Sequence, residues 1–252
     1  MLVAERYTLG MCCLRFVVVT LFLSMMVPGT GVAAMVAAPQ AAGASADWKA
    51  DIERRRAALI AKNGPGTDAA ERDELLKMRG EDQRARGVDA DAKSKGHLEI
   101  ATNLGDIDAA LTNELKVLVK AKGWPTISMV GIDASNAAML VLTHTRDRAW
   151  RASMIPMLVN LADEKKIDSS ALAIVVDSQL VYEGKLQRYG TQFRSMEDGT
   201  IAMYSVEDPG GLDRERREVM LPPIDVYKGM LADMYHLKVS NKIVMAVKQG
   251  GQ

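Results

Sequence analysis

The chain is 252 residues long, with 32 basic and 32 acidic side chains, 5% aromatics and two cysteines. A formal charge of zero supplies no field to gather nucleic acid or anionic lipid, and so few aromatics disfavour a base-stacking platform or an aromatic sugar groove. Neither is an expected partner.

Residues 1–46 read as a secretory signal peptide. A weakly basic start (Arg6 and Arg15 against Glu5) leads to an apolar run from Phe16 to Val27 and then to small residues ending in Ala44-Ser45-Ala46. Cleavage after Ala46 gives a secreted or periplasmic protein with no membrane contact; the alternative is anchoring through an uncleaved apolar segment, which Pro28, Gly29 and Gly31 interrupt. Cys12 and Cys13 both lie in this leader, so the expected mature chain has no disulfide, thiolate nucleophile or cysteine metal site. Its charge is 30 basic against 31 acidic, the totals less Arg6 and Arg15 and less Glu5.

Residues 47–105 are expected to form a charged helical region and linker. Asp47–Lys62 reads as a helix stopped by Asn63-Gly64-Pro65-Gly66, and Thr67 as the cap of a second helix over Asp68–Arg86. So many charges predict solvated helices docked along a narrow stripe, or an interaction module that uses them to hold a partner. Residues 87–105 read as irregular.

Residues 106–252 carry the expected helical core. Ile107, Leu111, Leu115 and Leu118 share one helical face in 106–122. Asp133–Thr145 reads as a buried central helix, Arg148–Lys165 as one with Pro156 near its start, and Ala171–Glu183 as a third capped by Asp168 or Ser169. A polar loop at 184–199 follows. Thr200–Val206 alternates and suggests a β-hairpin with Tyr189–Arg194 across Glu197-Asp198-Gly199. Helices near 212–219 and over Ile224–Leu237 complete a mainly α single domain with a small hairpin, an α+β fold being the alternative.

Helical spacing turns a few polar side chains inward. His144 shares a face with Ala137, Leu140 and Val141, with Asn136 and Thr143 on its flanks; Asp177 stands among Ala173, Ile174, Leu180 and Val181. A buried carboxylate needs a partner, so His144 and Asp177 are the expected pair. They form either a general base and its orienting acid or a satisfied core pair. Gln187, Tyr189, Thr191 and Gln192 likewise either bind a ligand or staple a turn around Gly190. His97 and His236 read as surface residues. No zinc spacing, P-loop, dinucleotide glycine pattern or nucleophile elbow is present, so neither metal nor cofactor is expected. Asp82-Gln83-Arg84-Ala85-Arg86 reads as a solvated helix edge.

Asp82-Gln83-x-x-Arg86, Gly123-Trp124-Pro125-Thr126, His144 and Gln187-x-Tyr189-Gly190-Thr191-Gln192 together resemble an uncharacterised, mostly bacterial and often exported family, catalogued as a domain of unknown function. The resemblance covers about residues 70–230. It brings no activity, but it implies that Trp124, His144, Gln187, Tyr189 and Gln192 share one site. Thr143 and Ser178 depart from the pattern, which more often has glutamine and arginine there. The resulting expectation is an exported helical domain binding a small or peptide-like neutral ligand at a pocket of His144, Asp177, Trp124, Asn136 and the polar loop. A metal-independent hydrolase or transferase with His144 as general base is the alternative.

Overall fold

The computed structural model describes residues 39–88, 100–235 and 237–247. Residues 1–38, which hold most of the expected signal peptide, and His97 and His236 lie outside the described residues. The elements are α1 (Pro39–Asn63), α2 (Ala69–Ala85), α3 (Leu104–Lys122), α4 (Ile127–Val130), α5 (Ile132–His144), α6 (Arg148–Asp163), α7 (Ser169–Tyr182), β1 (Phe193–Ser195), β2 (Thr200–Tyr204), α8 (Leu212–Glu218), α9 (Ile224–Tyr235) and β3 (Lys238–Val244). The domain is mainly α with a small three-stranded sheet.

α1 begins eight residues before the expected Asp47, so the expected cleavage point after Ala46 falls within it. Its charges serve the fold. Arg55 donates to the carbonyls of Arg217 and Glu218, Lys62 to that of Glu164 and Asn63 to that of Lys165, tying the open C-terminal ends of α8 and α6. Asp68, not Thr67, caps α2, its carboxylate accepting from the Glu71 amide at 3.0 Å. The Thr67 amide donates instead to the carbonyl of Met129.

The buried residues of α2 are Glu71, Leu75, Met78, Asp82 and Ala85, a steady four–three alternation along one face. The expected narrow stripe exists, and two carboxylates belong to it. Leu75 and Met78 join Leu111 and Leu115 of α3, Leu158 of α6 and Leu172 and Val175 of α7 in the main core around α5. Every residue of α5 from Ala134 to His144 is buried, which matches a nearly continuous apolar sequence.

A second core lies under the sheet, with Phe193, Ile201, Met203, Leu212, Tyr227 and Leu231. β1 and β2 pair antiparallel with Phe193 opposite Met203, forming the expected hairpin. β3 adds a strand parallel to β2, so the sheet order is β1-β2-β3. From Ile201 to Tyr204 both faces of β2 are buried, so its alternation does not mark a solvent face.

A candidate acid–base site at the ends of α2 and α5

α2 and α5 run side by side in the same direction. Near their N-terminal ends Arg72 Nε donates to the carbonyl of Val130 at 3.1 Å, and at the other end Asp82 meets His144. His144 Nδ1 lies 2.7 Å from Asp82 Oδ1, which also accepts from Arg86 at 2.8 Å, while Gln83 reaches Asp82 Oδ2 at 3.2 Å. Burial pushes the Asp82 carboxyl up, but the His144 imidazole and the Arg86 guanidinium more than offset it and hold the group below its ordinary range. An ionised carboxylate only accepts, so His144 Nδ1 is the donor and Asp82 sets the ring's tautomer. Arg86 continues to Asp108 of α3 at 2.7 Å, and Thr112 hydrogen-bonds Thr145 just after His144. The partner of His144 is therefore Asp82, not Asp177: periodicity placed both groups inward but could not tell which helices meet. Asp82 and Arg86 form part of a buried network, not a solvated edge.

Arg151 lies on the other side of this region. It is fully buried, and its guanidinium donates to four neutral acceptors: Gln179 Oε1 at 2.8 Å, Ser178 Oγ at 2.8 Å, Ser178 O at 3.1 Å and Thr143 O at 3.2 Å. It thus ties the C-terminal ends of α5 and α7, where carbonyl dipoles favour a cation. Burial pushes Arg151 down to about 9, which leaves it protonated at neutral pH. Thr143 and Ser178 are both gripped by this side chain. Arg148 donates to the carbonyl of Thr145 and lies over the Tyr182 ring.

The polar loop is a separate, internally satisfied structure. Asp177 is fully buried and accepts from the amides of Arg188 (2.8 Å), Tyr189 (3.0 Å) and Thr191 (2.9 Å) and from the Thr191 hydroxyl (2.9 Å). Burial pushes the Asp177 carboxyl up, and these donors pull against it. Gln187 donates to the carbonyls of Tyr204 and Gln192 and accepts from the Gln192 amide, so its whole amide group fastens the loop to the sheet. Gln192 in turn donates to the Thr191 hydroxyl. Buried Arg216 donates to the carbonyls of Tyr189 and Pro222 and stacks on Tyr227, its centre 4.7 Å from the ring centroid. Gly190 has φ of +66°, the left-handed region that favours glycine.

The eight expected site residues thus occupy four places. His144 stands with Asp82. Asp177, Gln187, Tyr189, Thr191 and Gln192 form the loop staple. Trp124 packs in the main core, its indole nitrogen lacking a hydrogen-bond partner among the described residues. Asn136 donates to Asp168 at the cap of α7, two helical turns from His144. Among the described residues no hydrogen bond joins these four groups. Sequence reasoning missed Arg86, Asp108 and Arg151 as partners, although a signal existed: Asp108 keeps helical register with Leu111 and Leu115, and Arg151 with Ile155 and Leu158. Among the described residues no group of three or more His, Cys, Asp or Glu side chains could hold a metal ion.

The chain belongs to a family of unknown function, DUF6624, whose model matches residues 69–240. The match covers α2 through the first residues of β3, and so both the Asp82–His144 pair and the loop staple. No curated protein and no solved structure matches the chain.

Proposed function

We propose that the domain is a metal-independent acid–base catalyst, a hydrolase or transferase, with His144 as general base and Asp82 as the group that orients it. The observation that carries this reading is the 2.7 Å contact between His144 Nδ1 and the Asp82 carboxylate, which also accepts from Arg86 at 2.8 Å. That arrangement directs the other ring nitrogen toward proton transfer and stabilises the imidazolium that forms. In this reading the attacking group is water or a substrate hydroxyl. In hydrolysis His144 takes a proton from water, the hydroxide oxygen bonds to the electrophilic centre as the leaving-group bond breaks, and His144 returns the proton to the leaving group. Asp177 serves the loop and does not orient His144, and a neutral-ligand pocket would have few loop side chains left to offer.

A second reading follows from burial. The His144 side chain is only 3% exposed, which suits a pair that locks α2 onto α5. A panel of chromogenic carboxylic, phosphoric and sulfuric esters separates the two, measured on the full chain alongside thermal unfolding. The catalytic reading expects turnover of one ester class, reduced by about 10²–10⁴-fold in His144→Gln while the variant remains folded. Absence of turnover across the panel, or turnover that His144→Gln leaves intact, rejects it in favour of the scaffold.

A further inference from the structure

Three guanidinium groups follow His144 within seven residues, and among the described residues none has a carboxylate at ion-pair distance. Arg151 is fully buried on neutral acceptors. Arg148 is half-buried, with one bond to the Thr145 carbonyl and its face on Tyr182. Arg146 is exposed and lies across α3 at Gly105, where even a Cβ would come within 2.7 Å of its guanidinium. Burial lowers the pKa of Arg148, Tyr182 and Asp108 pull it back up, and Arg146 lowers it again; for Arg151, Arg148 is the next cause after burial that lowers it.

Among the described residues the nearby acids do not balance them. Arg86, Arg146, Arg148 and Arg151 contribute +4, and Asp82 and Asp108 contribute −2, leaving +2 before His144 is counted. Asp147 and Glu183 are each engaged by a lysine, Lys116 and Lys185. The carbonyl ends of α5 and α7 supply about half a negative charge each, which accounts for Arg151 but leaves about one positive charge beside His144. A surplus of this kind, held by planar forks suited to oxyanions, is a recognition feature for an anionic group.

We infer that the substrate of the acid–base site carries a phosphate group, held by Arg146 and Arg148 while Arg151 contributes its field from behind. This rests on the catalytic reading for the word substrate, but the binding stands on the arginines alone. Arg151 makes no direct contact in this scheme, because its donors already hold Thr143, Ser178 and Gln179.

The test is binding of inorganic phosphate to the full chain by calorimetry and by thermal unfolding, with sodium chloride and sodium acetate matched for ionic strength. The expected result is saturable phosphate binding, weakened about 10-fold or more in Arg148→Gln and in Arg146→Gln, as for loss of one charge-assisted hydrogen bond. Arg146 is exposed, so its variant reports on binding even if Arg148→Gln unfolds. Phosphate binding that persists in His144→Gln supports the phosphate site separately from the catalytic reading. Ester turnover with no phosphate binding overturns the phosphate site and leaves that reading standing. Equal binding of acetate, no saturation, or insensitivity to both arginine variants (an adventitious ion only) overturns the inference.

Discussion

Replacing Asp177 by asparagine tests whether the polar loop is a staple. One oxygen of Asp177 takes the amides of Arg188 and Tyr189, and the other takes the amide and hydroxyl of Thr191 together with a longer 3.2 Å share of the Tyr189 amide. In Asp177→Asn the amide oxygen can keep the first pair, but the new NH2 group faces the Thr191 amide, donor against donor. The Thr191 hydroxyl can rotate to accept, so one buried N–H is left without a partner, at a cost of about 1–3 kcal/mol. The two retained bonds also lose their charge-assisted strength. Against this, burial disfavours the native carboxylate, and the neutral amide relieves that part. A net loss of about 1–3 kcal/mol corresponds to a fall in Tm of roughly 2–12 °C for a domain of this size. Thermal unfolding measures it, with exposed Glu197→Gln as the control. Amide hydrogen exchange at Thr191 should accelerate in the variant. A Tm equal to that of the control, with Thr191 still protected, refutes the staple.

Arg151→Met strips donors from Thr143, Ser178 and Gln179 and should cost about 3 kcal/mol or more in chemical denaturation, while Arg151→Lys recovers less than half because a single ammonium cannot span three residues. Gly190→Ala places a side chain at φ of +66° with Ile224, Leu212 and Met203 each 3.3 Å from the new carbon, so a loss of about 1–2 kcal/mol is expected from the conformation alone, read as an earlier urea midpoint. For pH, the folded pKa of Asp82 lies below its ordinary value of 3.8, so its stabilisation is complete above that value and is lost as pH falls through the folded pKa. Asp177 is raised and has the opposite sign, its protonation favouring the folded state as pH falls. Tm measured between pH 3 and pH 7 should therefore fall less steeply with acid in Asp82→Asn than in the native chain, and more steeply in Asp177→Asn; parallel curves would contradict both assignments.

The stripe on α2 shows how far periodicity reaches. A narrow stripe on α2 could be expected from the chain alone, as could the largely apolar α5, the hairpin and the inward turn of His144 and Asp177, but not that Glu71 and Asp82 join Leu75, Met78 and Ala85 on that stripe. Spacing describes one element at a time, and a buried charge demands a partner without naming it. His144 and Asp177 were each correctly placed on a buried face, yet the partner of His144 stands 62 residues away on a helix that reads as mostly charged. Only the parallel docking of α2 against α5 brings Asp82 to it. The same holds for Arg151, whose four acceptors come from the ends of two helices, and for β3, which pairs with β2 across the intervening α8 and α9. Local preference and hydrophobic period therefore determined the elements and their inner faces, while tertiary packing decided which polar groups meet. The energy of a buried hydrogen bond or ion pair depends on distances between elements that no local pattern encodes.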